Sequence, residues 1–151
     1  MTADQRLAIV GLGYVGLPLA ISFVEAGLEV VGVDASRGRV AELAAGRSPI
    51  DDVDDARLRS ALGSGLSIAH VDDADLGAVD GLFVCVPTPI TRSKDPDLEP
   101  VLSAAALVRA SLRQGQLVVL QSTTFPGTTT GPFRTALEAG ALAGSSAASD
   151  R

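Results

Sequence analysis

Aromatic residues are scarce in this chain of 151 residues: there is no tryptophan, one tyrosine and four phenylalanines. A core without large rings must be built from Val, Leu, Ile and Ala, which suits a parallel sheet covered by helices on both faces. Cysteine is nearly absent as well. A single one excludes an internal disulfide framework and fits a reducing cytoplasm. With one histidine besides and no ligand cluster, nothing points to a metal. Excess positive charge is missing too: 12 basic against 18 acidic residues leave a net charge of −6, the wrong sign for a nucleic-acid surface. No apolar run approaches the ~20 residues of a membrane span, and no basic-then-apolar leader opens the chain. The expectation is a cytoplasmic protein without membrane contact. What is abundant is aliphatic, with 46% hydrophobic residues and a mean hydropathy of +0.32. At this length that is one domain with a core large enough to fold alone.

The apolar run Leu7-Ala8-Ile9-Val10 leads directly into Gly11-Leu12-Gly13-Tyr14-Val15-Gly16-Leu17-Pro18. This is the G-x-G-x-x-G pattern, placed between a buried strand and a helix. Gly11 allows the tight turn. Gly13 lets backbone N–H groups come close to a pyrophosphate, and Gly16 lets the helix pack tightly on the strand. The helix N-terminus then faces the phosphates with its partial positive charge.

Alone the pattern is weak, so its context decides. The next apolar run, Val30-Val31-Gly32-Val33, ends in Asp34, 18 residues after Gly16 and near the spacing of a ribose-binding acid. The alternative for Asp34 is a cap on the next helix. As a ribose ligand its carboxylate accepts from both adenosine hydroxyls of NAD. Against the 2′-phosphate of NADP it would set like charges about 4 Å apart, costing roughly 4 kcal/mol at an effective dielectric near 20. Arg37 and Arg39 could soften that repulsion or simply occupy the first turns of the following helix. NAD is the expected cofactor.

Strands and helices alternate along the chain, which predicts a Rossmann-type, doubly wound parallel α/β sheet with right-handed crossovers. The expected strands are Leu7–Val10, Glu29–Val33, Leu66–His70, a run from Asp80 to Val86, and Leu117–Leu120. Helices are expected over Tyr14–Ala26, Ser36–Ala45, Asp54–Leu62, Leu98–Leu112 and within Gly131–Leu142. The domain is taken as 1–142, with the small, polar tail 143–151 frayed.

Ligands of open α/β sheets bind beyond the carboxyl ends of the strands. Pro87-Thr88-Pro89 and Gln121-Ser122-Thr123-Thr124-Phe125-Pro126-Gly127-Thr128-Thr129 both begin at such ends. The first, rigid and short of N–H groups, would form a wall near the nicotinamide, and the second offers the hydroxyls of Ser122 and Thr123. Both also read as ordinary strand-to-helix turns.

Taken together, the stretches GLGYVGLP at 11–18, VPTPITRSKDPDLEPV at 86–101 and QSTTFPGTT at 121–129 resemble the UDP-glucose/GDP-mannose dehydrogenase family, over nearly the whole chain to about Leu137. The second and third are most like the branch that oxidises UDP-N-acetylhexosamines, UDP-N-acetylglucosamine 6-dehydrogenase being the nearest. The resemblance implies oxidation of a sugar C6 alcohol to a carboxylate in two NAD-dependent steps, through a thiohemiacetal-held aldehyde and a thioester. It implies that Gly11, Gly13, Tyr14, Val15 and Gly16 hold the pyrophosphate and Asp34, with Arg39 nearby, the adenosine ribose. Pro87, Thr88 and Ser122 would flank the nicotinamide, and Thr123 would order the catalytic water. Gln121 departs from the acid or lysine of many relatives.

The family's nucleophilic cysteine, catalytic lysine and sugar-binding acid have no counterparts here. Cys85 falls inside the fourth apolar run and reads as a buried structural thiol. Lys94 reads as solvated and His70 as a satisfied edge residue. The expectation is a truncated NAD-binding domain lacking its sixth strand, which leaves Leu117–Leu120 as an exposed edge open to pairing. Such a chain would bind NAD and meet a UDP-sugar only with further domains supplied. The alternatives are a non-catalytic partner or regulatory module docking on a longer relative or forming a homo-oligomer, an inactive remnant, and a different Rossmann enzyme. The last lacks a Tyr/Lys pair at helical spacing.

Overall fold

A computed structural model describes residues 5–139. Five parallel strands form one sheet: β1 (Arg6–Val10), β2 (Glu29–Asp34), β3 (Leu66–His70), β4 (Gly81–Val84) and β5 (Leu117–Leu120), in the order β3-β2-β1-β4-β5. The helices are α1 (Gly16–Glu25), α2 (Arg37–Ala44), α3 (Asp55–Leu62), α4 (Glu99–Ser111) and α5 (Arg134–Glu138). This is the expected doubly wound sheet, with the strand order reversing between β1 and β4.

Alternation along β1 shows how the aliphatic composition is used. Leu7 and Ile9 point into one core with Leu17, Ile21 and Val24 of α1, Leu43 of α2 and Leu58 of α3. Ala8 and Val10 point into the other, with Val101, Ala105 and Val108 of α4 and Phe133. Successive residues of a strand face opposite sides, so a strand buried on both must be apolar throughout. The helix starts are set by short polar side chains. Ser36 accepts from the Arg39 N–H to open α2, and Asp54 accepts from the Arg57 N–H at 2.7 Å to open α3. Arg57 also forms a two-bond pair with Glu25 of α1 at 2.8 and 2.9 Å, which holds the Glu25 carboxyl below its ordinary range.

Three boundaries differ from the sequence reading. Helix α1 begins at Gly16 rather than Tyr14, because Tyr14 and Val15 belong to the turn and are 68% and 50% exposed. Strand β4 stops at Val84, so Cys85 lies just past it rather than inside. One further ladder bond, from the Cys85 N–H to the Val10 carbonyl at 2.8 Å, still ties it to β1. The final helix is shorter than Gly131–Leu142 over the described residues: a wide turn, Thr129–Phe133, precedes α5. Residues 140–142 and the tail 143–151 lie outside the described residues.

Among the described residues the β5 strand pairs with β4 alone, and Leu117 is 59% exposed at its start. The corner leading into it is held by side chains. Gln116 Nε2 donates to the carbonyls of Leu76 and Val79 at 2.9 and 2.7 Å, while its Oε1 accepts from the Arg113 N–H at 2.9 Å. Replacement of Gln116 by Ala removes three bonds each worth about 1 kcal/mol net and should lower stability by about 2–3 kcal/mol in urea unfolding. An unchanged midpoint would mean that the β4–β5 ladder alone sets this corner.

Candidate functional site

The reversal of strand order between β1 and β4 opens a crevice at the carboxyl end of the sheet, with a cavity of about 550 Å³. Gly11, Gly13, Tyr14 and Val15 line one side and Asp34 and Arg39 one end. Pro87, Thr88, Ser122 and Thr123 line the opposite end, with Gln121 beside them. Gly16 lies immediately behind the turn. The sequence-predicted residues therefore converge on one site, although they come from stretches more than a hundred residues apart.

Each glycine of the turn answers a different constraint. Gly11 has φ of +96°, and a Cβ there would lie 2.9 Å from both the C and O atoms of Cys85. A Cβ at Gly16 would sit 1.8 Å from the Gly11 carbonyl oxygen and 3.2 Å from Cys85 Cβ. The turn, the start of α1 and the residue after β4 thus meet at backbone distance, which is a closer constraint than helix-on-strand packing. Gly13 is the exception, since a Cβ there would meet nothing within 4 Å. The protein itself does not require glycine at 13. A ligand close to the backbone would, and the first N–H groups of a helix, which lack partners within it, are aimed where an anion fits.

Asp34 anchors the other flank. Its Oδ2 accepts from the Leu12 N–H and its Oδ1 from the Ser36 N–H, both at 2.9 Å. The cap of α2 is Ser36, not Asp34, which leaves each carboxylate oxygen with lone-pair capacity toward the crevice. Arg39 reaches back from α2 and donates from Nη1 to the Leu12 carbonyl at 3.0 Å. The Leu12 residue is therefore gripped at both its N–H and its C=O. Arg37 turns away and pairs with Asp72 at 2.9 Å. His70 secures the same corner: its Nε2–H donates to the Ala35 carbonyl at 2.9 Å and its Nδ1 accepts from the Asp72 N–H at 3.2 Å. Both ring nitrogens are spent, so it is the satisfied residue expected.

At the far end two hydroxyls cross between loops. Ser122 Oγ donates to the Val86 carbonyl at 2.7 Å, and the Thr88 hydroxyl donates to the Thr123 carbonyl. The turn below is closed by Thr128, 1% exposed, whose hydroxyl donates to the Phe125 carbonyl at 2.8 Å, with Gly127 at φ +91°. Cys85 is 7% exposed, and burial pushes its thiol up to about 11. It is a packing residue at the floor of the crevice. Lys94, at φ +67°, sits in an exposed hairpin turn away from these groups. Among the described residues no group of three His, Cys, Asp or Glu could hold a metal, and no helix is long and apolar enough to cross a membrane.

A second cavity of about 560 Å³ adjoins the first across Gly11, Asp34 and Pro87. Val33, Ala35, Val71, Ala104 and Leu107 make it apolar. Sequence reading did not find it: its walls come from β2, the turn after β3 and one face of α4, and no local pattern links them.

Comparison with known proteins points the same way. A family model described as the UDP-glucose/GDP-mannose dehydrogenase family, NAD binding domain, matches residues 5–145. The chain is 43% identical over 126 residues to a UDP-N-acetyl-D-glucosamine 6-dehydrogenase of Pseudomonas aeruginosa, covering 83% of this chain and 29% of that protein. Among solved structures it is similar to a UDP-glucose dehydrogenase from Pyrobaculum islandicum, with a TM-score of 0.81, 38% identity, and coverage of 90% of this chain and 33% of that one. It is also similar to a ternary complex of GDP-mannose dehydrogenase from Pseudomonas aeruginosa, with a TM-score of 0.79, 32% identity, and coverage of 89% and 32%. The chain thus spans about three tenths of the length of the curated relatives it matches.

Two expectations follow from the geometry. Gly13→Ala should keep the thermal midpoint within a few degrees and lose dinucleotide binding, whereas Gly16→Ala should lose both. Equal destabilisation by the two changes would show that Gly13 serves the fold. For Cys85, a pKa raised from 9.0 to about 11 leaves roughly a hundredfold less thiolate at pH 8. Alkylation at pH 8 should accordingly be about a hundredfold slower in the folded chain than in urea, and equal rates would place the thiol in solvent.

Proposed function

This chain belongs to the UDP-glucose/GDP-mannose dehydrogenase family and carries its NAD-binding domain, and we propose that it serves a nucleotide-sugar 6-dehydrogenase acting on a UDP-N-acetylhexosamine. Residues outside this chain supply the sugar subsite and the nucleophile. The single observation that carries the reading is the turn at Gly11–Gly16, open at Gly13 and flanked by the lone pairs of Asp34. The 43% identity to the Pseudomonas aeruginosa enzyme supports the substrate class. Oxidation of a C6 hydroxyl also needs a hydride acceptor, which NAD provides when bound.

The residues divide the work along the crevice. Backbone N–H groups of Gly13, Tyr14 and Val15 hold the pyrophosphate at the start of α1. The Asp34 carboxylate would accept from the adenosine ribose hydroxyls, and Val71 and Leu107 would line the apolar cavity open to the adenine ring. Arg39, fixed by the Leu12 carbonyl, closes that end. Pro87, Thr88 and Ser122 would form the wall at the nicotinamide end, and the Thr123 hydroxyl would order water at the reacting carbon. Cys85 takes no chemical part, since its thiol is buried and protonated.

Calorimetric titration of the pure chain tests the reading. NAD should bind, and NADP should bind at least tenfold more weakly because its 2′-phosphate faces Asp34. Equal affinities would remove Asp34 from the adenosine ribose. Reduction of NAD by the chain alone with UDP-N-acetylglucosamine would overturn the assignment of the nucleophile to residues outside it.

A further inference from the structure

A threonine hydroxyl has one proton to give and lone pairs to accept with. The proton of Thr88 goes to the Thr123 carbonyl, across the two loops that end β4 and β5. Toward the crevice its Oγ1 therefore offers lone pairs only. The neighbouring Ser122 hydroxyl is committed in the same way, to the Val86 carbonyl at 2.7 Å. Pro87 between them has no N–H. These three residues make a corner that accepts hydrogen bonds and donates none from its hydroxyls.

We infer that Thr88 is a specificity-determining residue: its Oγ1 accepts from the carboxamide NH₂ of the pyridine ring and so selects the nicotinamide dinucleotide over its nicotinic acid form. The inference rests on the proposed reading, which lays the nicotinamide half of the dinucleotide over β4 and β5. An amide at that position brings two protons to the lone pairs. A carboxylate brings none and sets a negative oxygen against them. A hydroxyl free to rotate could serve either group, so the discrimination comes from the bond to Thr123 that fixes the proton elsewhere.

Titrations with NAD, nicotinic acid adenine dinucleotide and ADP-ribose separate the possibilities, on the whole chain and on Thr88→Val and Thr88→Ser. The chain should prefer NAD over the acid form by about five- to tenfold, the worth of one hydrogen bond. In Thr88→Val the preference should fall below about twofold while ADP-ribose, which lacks the pyridine ring, binds unchanged. Thr88→Ser, which keeps the oxygen and its proton, should restore it. Equal binding of the two dinucleotides by the unaltered chain, or a preference that survives in Thr88→Val, would overturn the inference. So would a parallel loss of ADP-ribose in Thr88→Val, because the bond would then only hold the loops together. If the unaltered chain bound neither ADP-ribose nor NAD, the failure would lie with the cofactor reading itself.

Discussion

Everything at the site depends on one close approach of backbone to backbone. The Gly11 carbonyl, the first residue of α1 and the chain leaving β4 share a space in which a methyl group at position 16 would sit 1.8 Å from an oxygen. That contact sets where α1 begins and therefore where its unpaired N–H groups point. It also brings the end of β4 against the end of β1, so the loop after β4 can form one end of the crevice. A fold able to tolerate side chains here would hold the helix farther from the sheet, and the anion-directed N–H groups would lose their aim.

Around that contact the glycine turn is held rigid by charge. A glycine-rich loop has more backbone freedom to lose than any other segment. The grip on Leu12 offsets it, with Asp34 accepting at the N–H and Arg39 donating at the carbonyl. Bonds to charged groups are worth about 1.5–3 kcal/mol where water is excluded and less at a half-exposed site such as this. The two are enough to order the loop before any ligand arrives, so less ordering entropy is lost on binding. Asp34 is thus at once part of the fold and, in the proposed function, a reader of the ribose.

The fold was readable because the central strands are buried on both faces. Runs such as Leu7–Val10 and Val30–Val33 have no polar interruption and stop at Gly11 and Asp34, and the expected strand ends agree with the structure to within a residue or two. The glycine spacing and Asp34 gave the crevice its position for the same reason: close backbone contact leaves a mark in residue type. What stayed hidden has no such mark. Tyr14 and Val15 read as helical by composition yet lie in the turn, because the helix cannot start before the contact at Gly16. Ser122 and Thr88 stood out as site candidates in the sequence, but only three dimensions show each bonded to the other's loop. The apolar cavity is likewise a property of assembly, made by side chains that no local spacing connects.

The wiring of the crevice has a mechanical meaning. The contacts that fix its Asp34 end, from Leu12 to Asp34 and Arg39, stay within β1-α1-β2-α2. Those that fix its Thr88 end stay within the β4-α4-β5 unit and its loops. The halves meet along the seam between β1 and β4, four paired residues long and extended by the bond from Cys85 to Val10. An elongated molecule lying across the strand ends would bridge that seam as a splint bridges a joint, adding a tie between units that otherwise share little besides a sheet and a core. Occupancy would therefore raise resistance to unfolding chiefly by suppressing separation of the two halves.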